Sequence, residues 1–442
     1  MSAASERLIL FTRYPEPGTA KTRLVSLLGA EGAAEFQRRL TVHAAKAAAE
    51  AGRLRGLSLE IRHEGGGESR MRDWLGDGFT FRPQGSGDIG ARMQTSLGDA
   101  FAEGAPRAVL IGSDIPGLTS ATVVRAFNAL KHHDLVFGPA ADGGYYLIGM
   151  TAACFRRGTA YLGPSIPWGS PDVLARTLGM VRDARLIFTL LKTLADVDRP
   201  QDLPAAMQAL CSGKDRPALS VVIPALNEAG QIAETLSALA RSSNVEIIVV
   251  DGGSPDGTIA VARAAGVRVL EARPPRSIQM NAGAAAAGGD LLLFLHADTR
   301  LPAGFETQVR QTLARSRVAA GAFRLKIDGN QRGLRTIEAV ANWRSRVLQM
   351  PYGDQALFLR SYTFWESGAF PPIPIMEDFE LVRRLKRRGR IALAPGCAET
   401  SARRWLRLGA VKTWLVNQCV IAAYCAGVSP KRLAAWYRGK KG

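Results

Sequence analysis

The chain has 442 residues, of which 47% are apolar and 22% charged, and it carries a formal net charge of +18. That length holds two to three domains with a core each, and the composition excludes a disordered or fibrous chain. No apolar run reaches the ~20 residues of a membrane-spanning helix, and the amino-terminal run in "MSAASERLILFTRYPEPG" is too short for a signal peptide.

In chain order, "RLILFTRYPEPG" at 7–18 reads as an apolar strand followed by a turn rich in Pro and Gly. Its continuation ends in GxxKT, but Ala20 stands where a P-loop needs glycine before the lysine, so that reading fails on spacing. The alternatives are a nucleotidyltransferase-like loop and a solvated basic turn. In the first, Gly18 lets backbone amides approach phosphate while Arg13, Lys21 and Arg23 neutralise it. Downstream, "AVLIGSDIPGLT" ends a strand at Asp114, "FGPAADGGYYLIGM" places Asp142 before two glycines, and "LADVDRPQDLP" supplies Asp196 and Asp198. Carboxylates at several strand ends around a basic loop have the composition of a metal–nucleotide site. The polar stretch "KDRPA" at 214–218 marks the expected boundary, giving domains 1–213 and 218–442.

The second half repeats the plan of the first. Strands are expected near 219–223, 245–250, 267–270 and 291–295, alternating with helices near 229–240, 256–265 and 278–287. That alternation specifies βαβ units and a mostly parallel sheet. The strands run into "PALNE" (Pro224, Asn227, Glu228), "DGGSPDGT" (Asp251, Asp256) and "HADT" (His296, Asp298). Acidic and amide side chains at adjacent strand ends make one polar crevice where open α/β sheets bind ligands. Asp251 can accept ribose hydroxyls or a base N–H, whereas a plain turn would explain any single copy. Thr299 is expected to cap the helix that follows, which leaves Asp298 for a ligand or metal. Five scattered cysteines without a CxxC pair argue against a disulfide framework or zinc site, so a reducing cytoplasm is expected.

In their order and spacing, "VVIPALNE", "VVDGGSPDGT", "RSIQMNAGAAAAGGDLLLFLHADT" and "MEDFELVRRLKRRG" resemble a family-2 inverting glycosyltransferase of the GT-A nucleotide-sugar fold. More narrowly, "QMNAGA", "LHADTRLP", "YGDQALFLR" and "RRW" resemble the arsenosugar-biosynthesis glycosyltransferase subgroup, also called rSAM/selenodomain-associated transferase 2. The resemblance implies that Asp298 is the second acid of a DxD motif holding Mg²⁺ or Mn²⁺. His296 replaces the first acid, and imidazole suits Mg²⁺ poorly. It implies that Asp378, beside Glu377, is the general base, where the plainer alternative is that both acids complement a helix dipole. Arg276, Gln279 and Asn281 are expected along the donor site, and Asp354 and Gln355 on the acceptor side. Arg404 would contact the diphosphate through a QxxRW-like motif in which Ser401 replaces Gln.

In the first half, "FTRYPEPGTAKTRL", "QGSGDIGARM", "GSDIPGL", "GPAADGGYYLIG", "IPWGS" and "LADVDRPQDL" resemble the rSAM/selenodomain-associated transferase 1 family, a relative of molybdenum-cofactor and phospholactate nucleotidyltransferases. Asp114 and Asp198 are then metal candidates, and 85–93 a candidate substrate loop. Trp168 could stack on a base or simply pack.

The expectation is thus two tandem α/β, GT-A-like domains. The second would move a sugar from a nucleotide diphospho-sugar to a small acceptor with inversion; the first would be a nucleotidyltransferase or second glycosyltransferase. Of the positive excess, +13 falls in 379–442, with 15 basic and 2 acidic residues. This field suits phosphates or an anionic membrane surface, so the alternatives are peripheral membrane contact with a lipid-phosphate acceptor, or non-enzymatic binding of an anionic ligand by the basic C-terminal half. The tail has no recognisable nucleic-acid module.

Overall fold

Leucine-, valine- and isoleucine-rich runs bounded by Gly, Pro and Asp form the strands of the computed structural model, which describes residues 5–211, 219–403 and 409–439. The chain divides into two compact units: residues up to Ala20 with Phe36–Asp198, and Lys21–Glu35 with Arg199 onward.

The first unit holds β1 (Arg7–Arg13), β2 (Ser58–Glu64), β3 (Thr80–Pro83), β4 (Arg107–Gly112), β5 (Leu135–Pro139), β6 (Tyr145–Thr151) and β7 (Phe188–Leu190). Its helices are α1 (Val25–Arg55, broken at Gly29 and belonging to this unit from Phe36), α2 (Gly67–Leu75), α3 (Ile89–Ala102), α4 (Ser120–Ala129), α5 (Ala152–Arg156) and α6 (Val173–Asp183). The sheet order is β3-β2-β1-β4-β6-β5-β7, parallel except for β6. Both faces are covered. Leu8 and Leu10 of β1 join one core, while Ile9 and Phe11 join another, which is the period-2 alternation of a doubly covered strand.

The second unit begins its described strands with β8 (Leu219–Ala225), β9 (Val245–Asp251), β10 (Arg268–Glu271) and β11 (Leu291–Phe294). Then follow β12 (Thr299–Arg300), β13 (Val318–Asp328), β14 (Phe358–Arg360) and β15 (Arg390–Ser401). Its helices are α7 (Leu203–Leu210), α8 (Ala229–Leu239), α9 (Thr258–Ala264), α10 (Arg276–Ala286), α11 (Phe305–Leu313), α12 (Arg332–Val347), α13 (Ser361–Glu366), α14 (Glu377–Lys386), α15 (Ala410–Cys425) and α16 (Pro430–Gly439). The order β10-β9-β8-β11-β14-β13-β15-β12 repeats that of the first sheet, with the two-residue β12 added at the edge. Again the strand in fifth place, β14, runs antiparallel to its neighbours. Two mixed α/β sheets of one strand order, flanked by helices, are the architecture that the paired motifs imply.

Two expectations differ from the structure. Residues 199–211 pack with the second unit, where the sequence reading put them before the boundary. The reason is local: α7 lies on α13, and the Cys211 thiol approaches the Gly289 carbonyl at 3.7 Å. The "KDRPA" stretch itself lies outside the described residues. Thr299 does not cap a helix either. It pairs with Thr400 in the sheet and its hydroxyl donates to Thr400 Oγ1 at 3.1 Å, while α11 starts at Phe305 behind a left-handed Gly304.

Candidate active site

The carboxyl ends of β8, β9 and β11 lie side by side in the sheet, which brings their polar tails to one edge. Past β9, Asp251 Oδ2 accepts the N–H groups of Gly253 and Ser254, both at 2.7 Å, and so folds the turn. Asp251 Oδ1 is fully buried and has no hydrogen-bond partner. A buried acceptor that the protein's own groups leave unmatched is one that a ligand or an ordered water can complete. Asp256 is used differently. Its Oδ1 accepts from Thr258 N and Oγ1 and its Oδ2 from Ala229 N, tying the starts of α9 and α8 together. The Thr258 hydroxyl, with these amides, holds its pKa below the usual carboxylate value. Asn227 adopts φ +57° and its N–H donates to Ser254 Oγ, and the Glu228 N–H donates to Thr258 Oγ1.

The second group gathers around the start of α14. Met376 takes a left-handed φ of 72° and turns the chain into the helix, so that Glu377 and Asp378 fall in its first turn. Glu377 is buried and receives both Arg276 Nε (2.7 Å) and Arg276 Nη2 (2.6 Å). Arg276 Nη1 lies 3.0 Å from His296 Nε2. A guanidinium can only donate, so that imidazole nitrogen is the acceptor. Packing around Arg276, whose side chain is still 42% exposed, would lower its pKa, but Glu377 and Asp378 outweigh this and hold it above the ordinary arginine value. Asp378 Oδ2 accepts the Gly353 N–H and Oδ1 the Phe379 N–H, each at 2.8 Å. A Cβ at residue 353 would lie 3.1 Å from His296 Nε2 and 3.2 Å from Asp378 Oδ2, so glycine is what lets this backbone approach.

These side chains line a cleft of about 170 Å³ that is open to solvent. One side is charged, with Arg276, His296, Asp354, Glu377 and Asp378. The other is largely apolar, with Ile375, Phe379, Val420, Ile421 and Tyr437. Pro224 borders a smaller adjoining recess with Arg276, His296, Gly353 and Asp378. Asp298 lies at the same sheet edge, where Arg403 Nη2 bridges it (3.3 Å to Oδ2) and Glu228 (2.8 Å to Oε2). The Glu228 hydrogen bond is the main reason that the Arg403 pKa is raised.

Several residues expected along the cleft are taken up elsewhere. Gln279 is buried and donates to the Ala225 and Val250 carbonyls. Asn281 is fully buried, donating to the Leu27 and Phe370 carbonyls and accepting the Phe370 N–H. Gln355 is fully buried among Phe323 O, Ser345 Oγ and Tyr352 N. These three amides satisfy backbone groups that the sheet leaves over, and they do not line the cleft. Arg404 lies outside the described residues. Sequence reasoning passed over Arg403, Gly353 and the apolar wall from α15 and α16. The "RRW" pair pointed toward Arg403, but no motif pointed to the wall.

In the first unit, Arg13 and Arg92 both donate to Glu64 Oε2, at 2.9 and 3.2 Å. Burial alone would raise the Glu64 pKa, but the two arginines pull it below the usual range. Gly18 takes φ +82°, as its place in a tight loop requires. Asp142 accepts the Gly144 N–H within its own turn, and Asp114 receives the Ser113 hydroxyl at 3.4 Å. Lys21, left-handed at φ 48°, and Arg23 fall in the segment that belongs to the second unit. Asp198 is half-buried at the end of the first unit.

Among the described residues, no three His, Cys, Asp or Glu side chains converge as a metal-binding group. Asp298 and Glu228 nevertheless share one cation, the Arg403 guanidinium, and offer hard carboxylate oxygens. That donor set fits Mg²⁺ or Mn²⁺ of the kind whose remaining ligands are substrate phosphates and water.

Two mixed α/β sheets flanked by helices, the second with a charged cleft beside the carboxyl ends of its strands, make a GT-A-like architecture. Residues 220–365 match the family model described as Glycosyl transferase family 2, and residues 47–170 the model described as an uncharacterized protein conserved in bacteria, DUF2064. A Desulfovibrio desulfuricans protein assigned as a nucleotide-diphospho-sugar transferase is 30% identical. The match covers 59% of this chain and 96% of that one, with a TM-score of 0.43. Residues 220–365 are thus a family-2 glycosyltransferase domain, and residues 47–170 carry the DUF2064 match. Glucosyl-3-phosphoglycerate synthase from Mycobacterium tuberculosis, solved with Mn²⁺, UDP and phosphoglyceric acid, is 23% identical over 51% of this chain and 83% of its own, at a TM-score of 0.37. Staphylococcus aureus TarS 1–349 with UDP-GlcNAc is 17% identical over 42% of this chain and 58% of its own, at 0.34. No curated protein matches the chain.

Proposed function

We propose that the second unit transfers a sugar from a nucleotide diphospho-sugar to a small hydroxylated acceptor, with inversion at the anomeric carbon. One observation carries the reading: Asp378 is fixed by two backbone N–H groups on the wall of a cleft that also holds Arg276, His296 and Asp354. In this reading Asp378 takes the acceptor's proton as its oxygen attacks the anomeric carbon. The bond to the leaving diphosphate breaks on the opposite side. Glu377 positions Arg276 beside the departing charge, and Asp354 orients the acceptor. Asp251 Oδ1 accepts a hydrogen bond from the nucleoside, and Asn227 and Glu228 border the same crevice. Asp298 holds Mg²⁺ or Mn²⁺, which when bound would neutralise the diphosphate.

The narrower arsenosugar-type subgroup rests on the motifs quoted above. The first unit, with Arg13, Gly18, Asp114, Asp142 and Asp198, is read as a nucleotidyltransferase-like or second glycosyltransferase domain. Thermal shift against a panel of nucleotide sugars, with and without Mn²⁺, tests the donor reading. A ligand at 100 times its Kd should stabilise by about 2.7 kcal/mol, and Asp298→Ala should remove the Mn²⁺-dependent part. A panel with no stabilising member, or a metal effect that survives Asp298→Ala, refutes it.

A further inference from the structure

The layer formed by α12, α15 and α16 leaves a second apolar face in solvent. α12 packs on α15, and α15 on α16. The inward face of α12 is already used: Leu334 and Ala341 are buried with Leu325, Ile327 and Ala402. On its outward side, Val340, Trp343 and Val347 stand at i, i+3 and i+7, one above another along the helix. They are 41%, 58% and 55% exposed, and Leu348 at 49% and Leu415 of α15 at 50% extend the face. Seven of the thirteen exposed large apolar side chains among the described residues belong to these three helices and the turns beside them. Scattered exposed leucines need no explanation, but a concentration of this kind around a tryptophan marks an interaction surface.

The charge around the face selects the occupant. Arg335 and Arg346 of α12, Lys412 of α15, and Lys431 and Arg432 of α16 are all exposed. After Glu399 the chain carries nine Lys or Arg and no Asp or Glu. A second copy of so basic a surface would repel the first, whereas an anionic surface would neutralise it. Tryptophan and short aliphatic side chains bordered by arginine and lysine are the composition of a helix that lies in a membrane interface. Among the described residues, no helix is long and apolar enough to cross a membrane.

We infer that this face docks the protein on an anionic lipid surface. Trp343, Val340 and Val347 enter the headgroup region and the surrounding basic side chains meet lipid phosphate. The same helices supply Val420, Ile421 and Tyr437 to the apolar side of the cleft, so docking sets that wall close to the interface. This inference does not depend on the transfer chemistry proposed above.

Co-sedimentation of the full chain with phosphatidylcholine vesicles, alone and with added phosphatidylglycerol, at physiological salt tests it. The partition coefficient should be at least tenfold higher on the anionic vesicles. The double variant Trp343→Ser/Val347→Ser leaves the charge unchanged and alters only exposed side chains, and it should lose about tenfold of that binding. Bromine-labelled lipids should quench part of the tryptophan emission of the native chain, and Trp343→Phe should abolish that part. Equal binding to both vesicle types overturns the inference. So does a double variant that binds like the native chain, which would mean adsorption by charge alone. A dimer in sedimentation velocity that these substitutions dissociate would assign the face to a second copy instead. Nucleotide-sugar thermal shifts measured on the same variants report separately on the donor site.

Discussion

Asp378→Asn separates a general base from a helix brace, because the structure predicts different sizes for the two effects. The native carboxylate accepts from Gly353 N and from Phe379 N, one on each oxygen. An asparagine can satisfy only one of these donors, and its amide then faces the other N–H. Losing one such bond and opposing two donors costs about 1.5–3 kcal/mol. For a unit of this size, 1 kcal/mol moves Tm by roughly 2–4 °C, so a fall of roughly 3–12 °C is expected. Loss of a positioned base lowers turnover by about 10²–10⁴-fold, well beyond what that stability change does at 25 °C. The assay is release of nucleoside diphosphate from whichever nucleotide sugar stabilises the protein best, with acceptor present, alongside donor Kd and Tm. Reduced kcat with an unchanged donor Kd is the expected pattern. Turnover within threefold of the native value, accompanied by the Tm drop, would refute the base assignment and leave Asp378 as a brace for α14.

Asn281→Leu should lower Tm sharply, since three buried backbone groups at Leu27 and Phe370 lose their partner, at a cost of about 3–6 kcal/mol in circular-dichroism melts. Arg403→Ala should leave Asp298 and Glu228 without their shared cation, so Mn²⁺ should bind several-fold more tightly in calorimetry without nucleotide. In the first unit, burial would raise Glu6, but hydrogen bonds from Arg55 and Arg107 outweigh it and lower its pKa. A depressed folded pKa gives stability that is present above the unfolded value and lost as pH falls through the folded one. Glu6→Gln should therefore lower stability at neutral pH by about 1–3 kcal/mol and flatten the acid limb by up to one proton, read from urea melts between neutral pH and pH 3. Gly283→Leu should unfold the second unit or lower its Tm severely, because a Cβ there already collides with Val222 and lies 2.9 Å from Val250 Cγ2, where α10 closes on β8 and β9.

The strands and helices around β8 to β11 were legible because their apolar runs are short, bounded by turn residues, and end in acids. The doubling of the fold was legible too, through "GSDIPGL" and "LHADTRLP", and the identical strand order follows from it. Strand tails share an edge once the sheet is parallel, so Asp251 and Asp298 could be placed from pattern alone. Helical residues were harder. Arg276, Gln279 and Asn281 read as one donor-facing set, yet only the first residue of α10 reaches the cleft. A helix rotates about 100° per residue, and the next turn already faces the sheet. Gln355 sits beside Asp354 in sequence but is buried, because the tight turn after Tyr352 points the two side chains differently. Contacts made across long stretches of chain, such as Arg403 to Glu228 over 175 residues, leave no local trace in the chain.

Asp251 uses its two oxygens differently. A buried oxygen with no partner costs a folded protein about 1–3 kcal/mol, and nothing in the resting fold recovers it. An apolar side chain would remove that cost but would leave the Gly253 and Ser254 N–H groups without the acceptor that Oδ2 provides. The acid thus serves the turn with one oxygen, and the proposed function gives the other its partner. If Asp251 contacts the nucleoside as proposed, laboratory evolution of this chain under heat alone should lose donor affinity before it loses the fold, whereas evolution with ligand present should keep both.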